Sequence, residues 1–150
     1  MVERSRGYAL RIDIRAEPAR IWACLIDAQK LQRWCSPGAR ISARPGGSMS
    51  GSLDRQRDFI AHIDVFEPQR RLRLIHLPSP AVPEGDSATI DDVMIEWRPP
   101  ETLVRVLGSG FSEAPAHGRL LRDHQAGWRL ALARLKVYLE KGLDAEGAVP

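Results

Sequence analysis

Residues 117–141 read HGRLLRDHQAGWRLALARLKVYLEK. Leu121, Trp128 and Leu135 recur at sevens, with Leu132 and Leu139 between them. Leu120, Ala131 and Tyr138 widen the same apolar stripe, and charged residues fill the opposite side. That spacing is the signature of an amphipathic α-helix. Gly142 follows directly and can stop it. At 1.5 Å per residue such a segment spans about 37 Å. It is long enough to lie across a whole six- or seven-stranded sheet, and the chain before it supplies one.

From residue 39 to 111 the apolar period is two, not 3.6. Ala39, Ile41 and Ala43 alternate with Arg40, Ser42 and Arg44 before the turn at Pro45-Gly46-Gly47. Residues 48–53 form a weak strand rich in Gly and Ser, expected at an edge. Phe59, Ala61, Ile63 and Val65 alternate with Ile60, His62, Asp64 and Phe66. Leu72, Leu74 and His76 alternate with Arg71 and Arg73. A proline-rich loop is expected over 78–88. Val93, Ile95 and Trp97 then share one face, and Thr102, Val104 and Val106 follow the tight connection Pro99-Pro100-Glu101. Strands joined by turns this short are antiparallel.

Upstream, Tyr8, Leu10, Ile12 and Ile14 alternate with Arg11, Asp13 and Arg15, which predicts a half-buried strand. Pro18 suits the first turn of a helix whose apolar stripe is Ile21, Trp22, Leu25 and Ile26. Asp27 can cap a second short helix that buries Leu31 and Trp34 and ends at Ser36-Pro37-Gly38. The tail from Asp144 is expected to fray. The order predicts an α+β domain: a curved antiparallel sheet of six to seven strands, two short helices after the first strand, and a long C-terminal helix packed on one face.

The chain has 150 residues, a length that suits one domain over 1–150 with a core of its own. No apolar run is long enough for a membrane span, and the charged N-terminus lacks a signal-peptide core. Cys24 and Cys35 lack CxxC spacing and read as reduced thiols of a cytoplasmic protein. The formal charge is +3, with acidic residues interleaved among the basic ones. Arg70, Arg71 and Arg73 are the densest basic cluster, too small a footprint for nucleic acid. No repeat, low-complexity stretch or Gly-rich phosphate loop is present.

Four patches resemble the SRPBCC superfamily, also called the START or birch-pollen-allergen-like helix-grip fold. The branch is that of the activator-of-heat-shock-protein-90-ATPase homologues. The first patch is Ile14 to Asp27, with Pro18 and Ile21-Trp22-Ala23-Cys24-Leu25. The second is Leu31 to Gly47, with Trp34 and Pro45-Gly46-Gly47. The third is Ile63 to Leu74, with Val65, Pro68, Arg71 and Leu72. The fourth is Thr102 to Leu139, with Ser109-Gly110-Phe111, His124, Gly127-Trp128, Leu132, Leu135 and Tyr138-Leu139. Departures are Ala61 where the family often has glycine, the proline-rich loop, and the turn at Pro99-Pro100-Glu101 without glycines.

The resemblance implies a sheet that grips the long helix and encloses a cavity. Its sheet-side lining would be Phe59, Ile63, Leu74, His76, Val93, Ile95, Trp97, Val104 and Val106. Leu121, His124, Trp128 and Leu132 would face them from the helix, and Trp34, with Leu31, would close one end. Gly127 and Gly108 would let helix and sheet backbones approach. Such a lining suits a small hydrophobic or amphipathic ligand: a lipid, an aromatic or a polyketide-like compound.

His76 is in phase with Leu72 and Leu74 and is expected to point inward; His124 lies one turn before Trp128. Each is either a hydrogen-bonded core histidine or a polar anchor for the ligand. His62 falls on the outward phase. His117 and His124 could share a helix face, but no metal-binding motif accompanies them, so no metal and no cofactor are expected. Asp91 and Asp92 read as a solvated pair before the Val93 strand, Glu96 as solvent-facing, Cys24 as a buried small hydrophobe and Cys35 as partly exposed. No catalytic residue is demanded. A cyclase- or aromatase-like enzyme acting through His76 or His124 is the alternative. A third reading is a protein-binding module whose outer face carries Arg71, Arg73, Glu96 and Arg98. A homodimer is left open.

Overall fold

A computed structural model describes residues 6–54, 57–76 and 88–142; the loop expected over 78–88 falls almost wholly outside these, and the tail expected to fray lies outside them too. Strand β1 (Arg6–Ile14) buries Tyr8 and Ile14 on the predicted face. Helix α1 (Pro18–Ile26) opens on Pro18 and buries Ile21, Trp22, Cys24 and Leu25. Asp27 then ends α1 and caps α2 (Ala28–Trp34): its Oδ1 accepts from the backbone N–H of Gln29 at 2.8 Å and of Lys30 at 3.3 Å. The Trp34 indole N–H donates to the Cys24 carbonyl at 2.9 Å, locking the two short helices together.

Six further strands follow: β2 (Arg40–Ile41), β3 (Ser48–Asp54), β4 (Arg57–Glu67), β5 (Arg71–His76), β6 (Thr89–Arg98) and β7 (Glu101–Phe111). They form one antiparallel sheet in the order β1-β7-β6-β5-β4-β3-β2. The weak Gly/Ser strand β3 is therefore not the edge; the two-residue β2 covers it. In β4 the pairing slips between Ile63 and Val65. Such a bulge reverses the face presented by the residues beyond it. Phe66, expected to point outward, thus pairs with buried Leu72 and meets the Trp22 ring edge-on at 5.1 Å.

Helix α3 (Pro115–Lys141) is the long terminal helix, ended by Gly142 in the left-handed conformation, φ 69°. It packs on β1 and β7 at one side of the sheet and on β3 near the other. One straight helix can touch both only if the sheet curls around it. Between those contact lines lie β6, β5 and β4, whose inward residues Val93, Leu72, Leu74, Ala61 and Ile63 are buried. With Trp128, Ala131, Leu132, Leu135 and Leu139 of α3 they form a continuous core.

Candidate functional site

Four neighbouring strands, β1, β7, β6 and β5, and the helix α3 converge on a buried polar cluster. The sheet register places Tyr8 of β1 beside Gly108 of β7, and Gly108 beside Asp91 of β6. A Cβ at position 108 would collide with the Tyr8 ring, so glycine there leaves the ring room to lie across β7. The Tyr8 hydroxyl thereby reaches two strands over and donates to Asp91 Oδ1 at 2.5 Å. From the other side, His76 at the end of β5 meets Asp91 Oδ2 through Nε2 at 2.6 Å. The His124 ring, on α3, stands edge-on to His76 at 5.0 Å and to Phe111 at 5.6 Å.

Asp91 is only 1% exposed. Burial by itself would raise its carboxyl; the hydrogen bond and charge of His76, then the Tyr8 hydroxyl and the Trp128 indole, outweigh that and hold it below the usual carboxylate range. With the carboxylate ionised, Nε2 of His76 carries the proton and donates it. Burial, and after it the Asp91 charge, drives the Tyr8 phenol far above its ordinary value, so this hydroxyl is a fixed donor. The Trp128 indole N–H supports Asp91 electrostatically yet makes no hydrogen bond of good geometry, although Trp128 is just 5% exposed.

Beside the cluster runs an apolar cleft lined by Leu25, Trp34, Cys35, Met49, Phe59, Leu72, Leu74, His76 and Trp128. It encloses about 390 Å³ when its mouth is counted. Inside the mouth the space is narrow, with room for about one water molecule. Among the described residues the walls of this cleft stand close together. Met49 and Phe59 stand on β3 and β4 at its wall; a thioether chain is the most adaptable filling for such a gap.

The sequence matches the model of the Activator of Hsp90 ATPase homolog 1-like protein family over residues 15–140. The chain belongs to that family. No curated protein matches it at a significant level. Among solved structures, the protein MLL2253 from Mesorhizobium loti superposes with TM-score 0.78 at 19% identity, covering 91% of this chain and 98% of that one. The Aha1 dimer from Colwellia psychrerythraea gives 0.75 at 20% identity, covering 91% and 98%. CalU16 from Micromonospora echinospora gives 0.73 at 20%, covering 91% and 75%. At these identities the likeness is one of fold.

Within this Activator of Hsp90 ATPase homolog 1-like domain, Trp34, Phe59, Leu74, His76 and Trp128 do come together at the cleft. Ile63, Val93, Ile95, Val104, Val106 and Leu132 are buried core residues and do not line it. Leu121 packs on the edge of the core, and His124 belongs to the polar cluster. Trp97, expected inside, is 44% exposed, because the last three residues of β6 run out to the hairpin end. Asp91 and Asp92 are not a solvated pair before a strand. Both lie within β6, on opposite faces: Asp91 inward, Asp92 outward beneath Arg71 and Arg73 at 3.0 Å each. Cys35, expected partly exposed, is buried in the cleft wall, and burial pushes its thiol up to about 11. Gly108, expected to admit the helix backbone, instead makes room for the Tyr8 ring, whose atoms are the nearest a Cβ there would meet. His117 is 2% exposed and accepts the Ser112 backbone N–H on Nδ1 at 2.8 Å, fastening the start of α3.

Leu25, Cys35, Met49 and Leu72 also line the cleft, although the sequence did not place them in its lining. Leu72 shares the phase of Leu74 and His76, so its alternation pointed there. Tyr8 and Asp91 had the same kind of signal: Asp91 is two residues before Val93, on its face.

Proposed function

We propose that this domain binds one small hydrophobic or amphipathic molecule in the cleft between the sheet and α3, with His76 as the polar contact. The observation that carries this reading is the lining: hydrocarbon, indole, thiol and thioether groups, with one imidazole backed by a buried carboxylate. An apolar body would displace the single water's worth of space by shifting Met49 and Phe59, and gain about 25 cal/mol per Å² buried. Native mass spectrometry of freshly purified protein tests it. A reproducible 1:1 adduct, lost in Leu74→Trp, is expected; an adduct unchanged in Leu74→Trp would place the guest elsewhere and sink the proposal.

The paired His76 and Asp91 favour a second reading, in which His76 moves a proton on the enclosed molecule, as in cyclase- or aromatase-like members of the superfamily. Conversion of a candidate polyketide that disappears in His76→Ala while binding persists would establish it; unchanged product would remove it. The protein-docking reading is weaker. The outer-face charges compensate one another, Arg71 and Arg73 on Asp92, Arg98 on Glu96. The Colwellia neighbour is a dimer, which supports a homodimer here, checked by light scattering.

A further inference from the structure

His76, Asp91 and His124 each offer a ligand atom, and the three atoms lie within 4.8 Å of one another. We propose that they form a divalent transition-metal site of the zinc class, His76 and His124 giving nitrogen and Asp91 giving oxygen. The donor set is the argument. Two imidazoles and one carboxylate are the ligands of three-residue zinc sites that keep a position open. Imidazole selects Zn²⁺, Co²⁺ or Ni²⁺ over Mg²⁺ or Ca²⁺, which prefer all-oxygen cages.

Three features make this a prepared site and not a chance approach. The ligands stand on β5, β6 and α3, all regular elements whose backbones are hydrogen-bonded in the sheet or helix. Asp91 already has an outer partner: Tyr8 occupies Oδ1 and leaves Oδ2 turned to His76. Such second-layer hydrogen bonds orient metal ligands and tune their basicity. The third feature is the Trp128 indole N–H, buried, close to Asp91 and without a hydrogen bond. A water on the open metal position would give it an acceptor.

The rearrangement needed is small. Two donors that share a tetrahedral Zn²⁺ at about 2.0–2.1 Å are roughly 3.3 Å apart. His76 and Asp91, now at 2.6 Å, must part slightly, and the proton between them leaves to solvent as the cation enters. The longest gap closes by a swing of the His124 ring of no more than about 1.5 Å. His76 and Trp128 also line the cleft, so the open position faces it. The site was invisible in sequence because the three ligands lie on separate elements with no short-range spacing.

The test uses tag-free full chain, stripped with chelator and titrated with Co²⁺ and Zn²⁺. The expected result is one equivalent of Co²⁺ with the visible absorption of a four- or five-coordinate nitrogen–oxygen site, displaced by one equivalent of Zn²⁺. Asp91→Asn and His124→Gln should each weaken binding at least tenfold, while His62→Gln, on an exposed histidine, leaves it unchanged. His124 is half-buried, so His124→Gln should keep the fold, confirmed by circular dichroism, even if Asp91→Asn does not. Absence of stoichiometric binding by the wild-type chain, or binding that survives His124→Gln unchanged, overturns the proposal. No cleft ligand enters this experiment, so its failure and that of the binding reading are separate results.

Discussion

Gly108→Ala should be among the most damaging single methyl additions this chain can receive. The added Cβ would overlap three atoms of the Tyr8 ring, too closely for any small adjustment. The ring is wedged among Asp91, Phe111 and β7, with its centroid 5.9 Å from that of Phe111, and cannot simply slide. Two costs follow. Overpacking in a filled core costs about 1–3 kcal/mol. Pulling the hydroxyl off Asp91 removes a hydrogen bond to a charged group, worth about 1.5–3 kcal/mol. The sum is about 2.5–6 kcal/mol, read by urea denaturation as a lowered midpoint at unchanged slope. The two parts separate in a double-mutant cycle. In a Tyr8→Phe background the ring remains but the hydrogen bond is already gone, so Gly108→Ala should cost less by the hydrogen-bond share. In a Tyr8→Leu background the steric share falls as well. A Gly108→Ala protein as stable as wild type, or a cost that is the same in all three backgrounds, would refute the assignment of Gly108 as the space through which Tyr8 reaches Asp91.

Other perturbations have smaller or opposite outcomes. Asp27→Ala leaves two N–H groups of α2 uncapped and should lower stability by about 1 kcal/mol in the same denaturation assay. Cys24, raised by burial to about 11, with Lys30 and Arg20 only partly countering, should resist alkylation at pH 8.5 and react with a midpoint near pH 11. Its neutral thiol is the form the fold favours. That contribution to stability is therefore complete below the unfolded value of about 8.5 and is lost as the pH rises through about 11. Trp97→Ala, at an exposed strand end, should change stability by less than about 0.5 kcal/mol, whereas Leu135→Ala, at a fully buried position, should cost about 2.7–5 kcal/mol.

The architecture was largely legible because its signals are periodic. The seven-residue recurrence of Leu121, Trp128 and Leu135 marks α3, and the alternation of Leu72, Leu74 and His76 marks β5. What was not legible depended on register. The slip after Ile63 turns Phe66 inward, and no alternating pattern announces an extra residue. Trp97 keeps the inward phase but lies past the end of the packed layer. The polar cluster was half legible. His76 and His124 stood out, whereas Asp91 was masked by its neighbour Asp92 and by a strand that starts earlier than its apolar residues suggest. Tyr8 looked like one more core aromatic. Its partner lies two strands away, a relation that exists only once β1, β7 and β6 are side by side.

The account rests on the cleft beside His76 accepting an apolar guest. Its most direct test is a fluorescence titration with an uncharged naphthylamine probe, monitored by quenching of tryptophan emission. Saturation at one probe per chain, with Trp34 and Trp128 quenched and the signal lost in Leu74→Trp, is the predicted result. A wild-type chain that shows no saturable quenching, or a Leu74→Trp chain that binds the probe equally well, would contradict it.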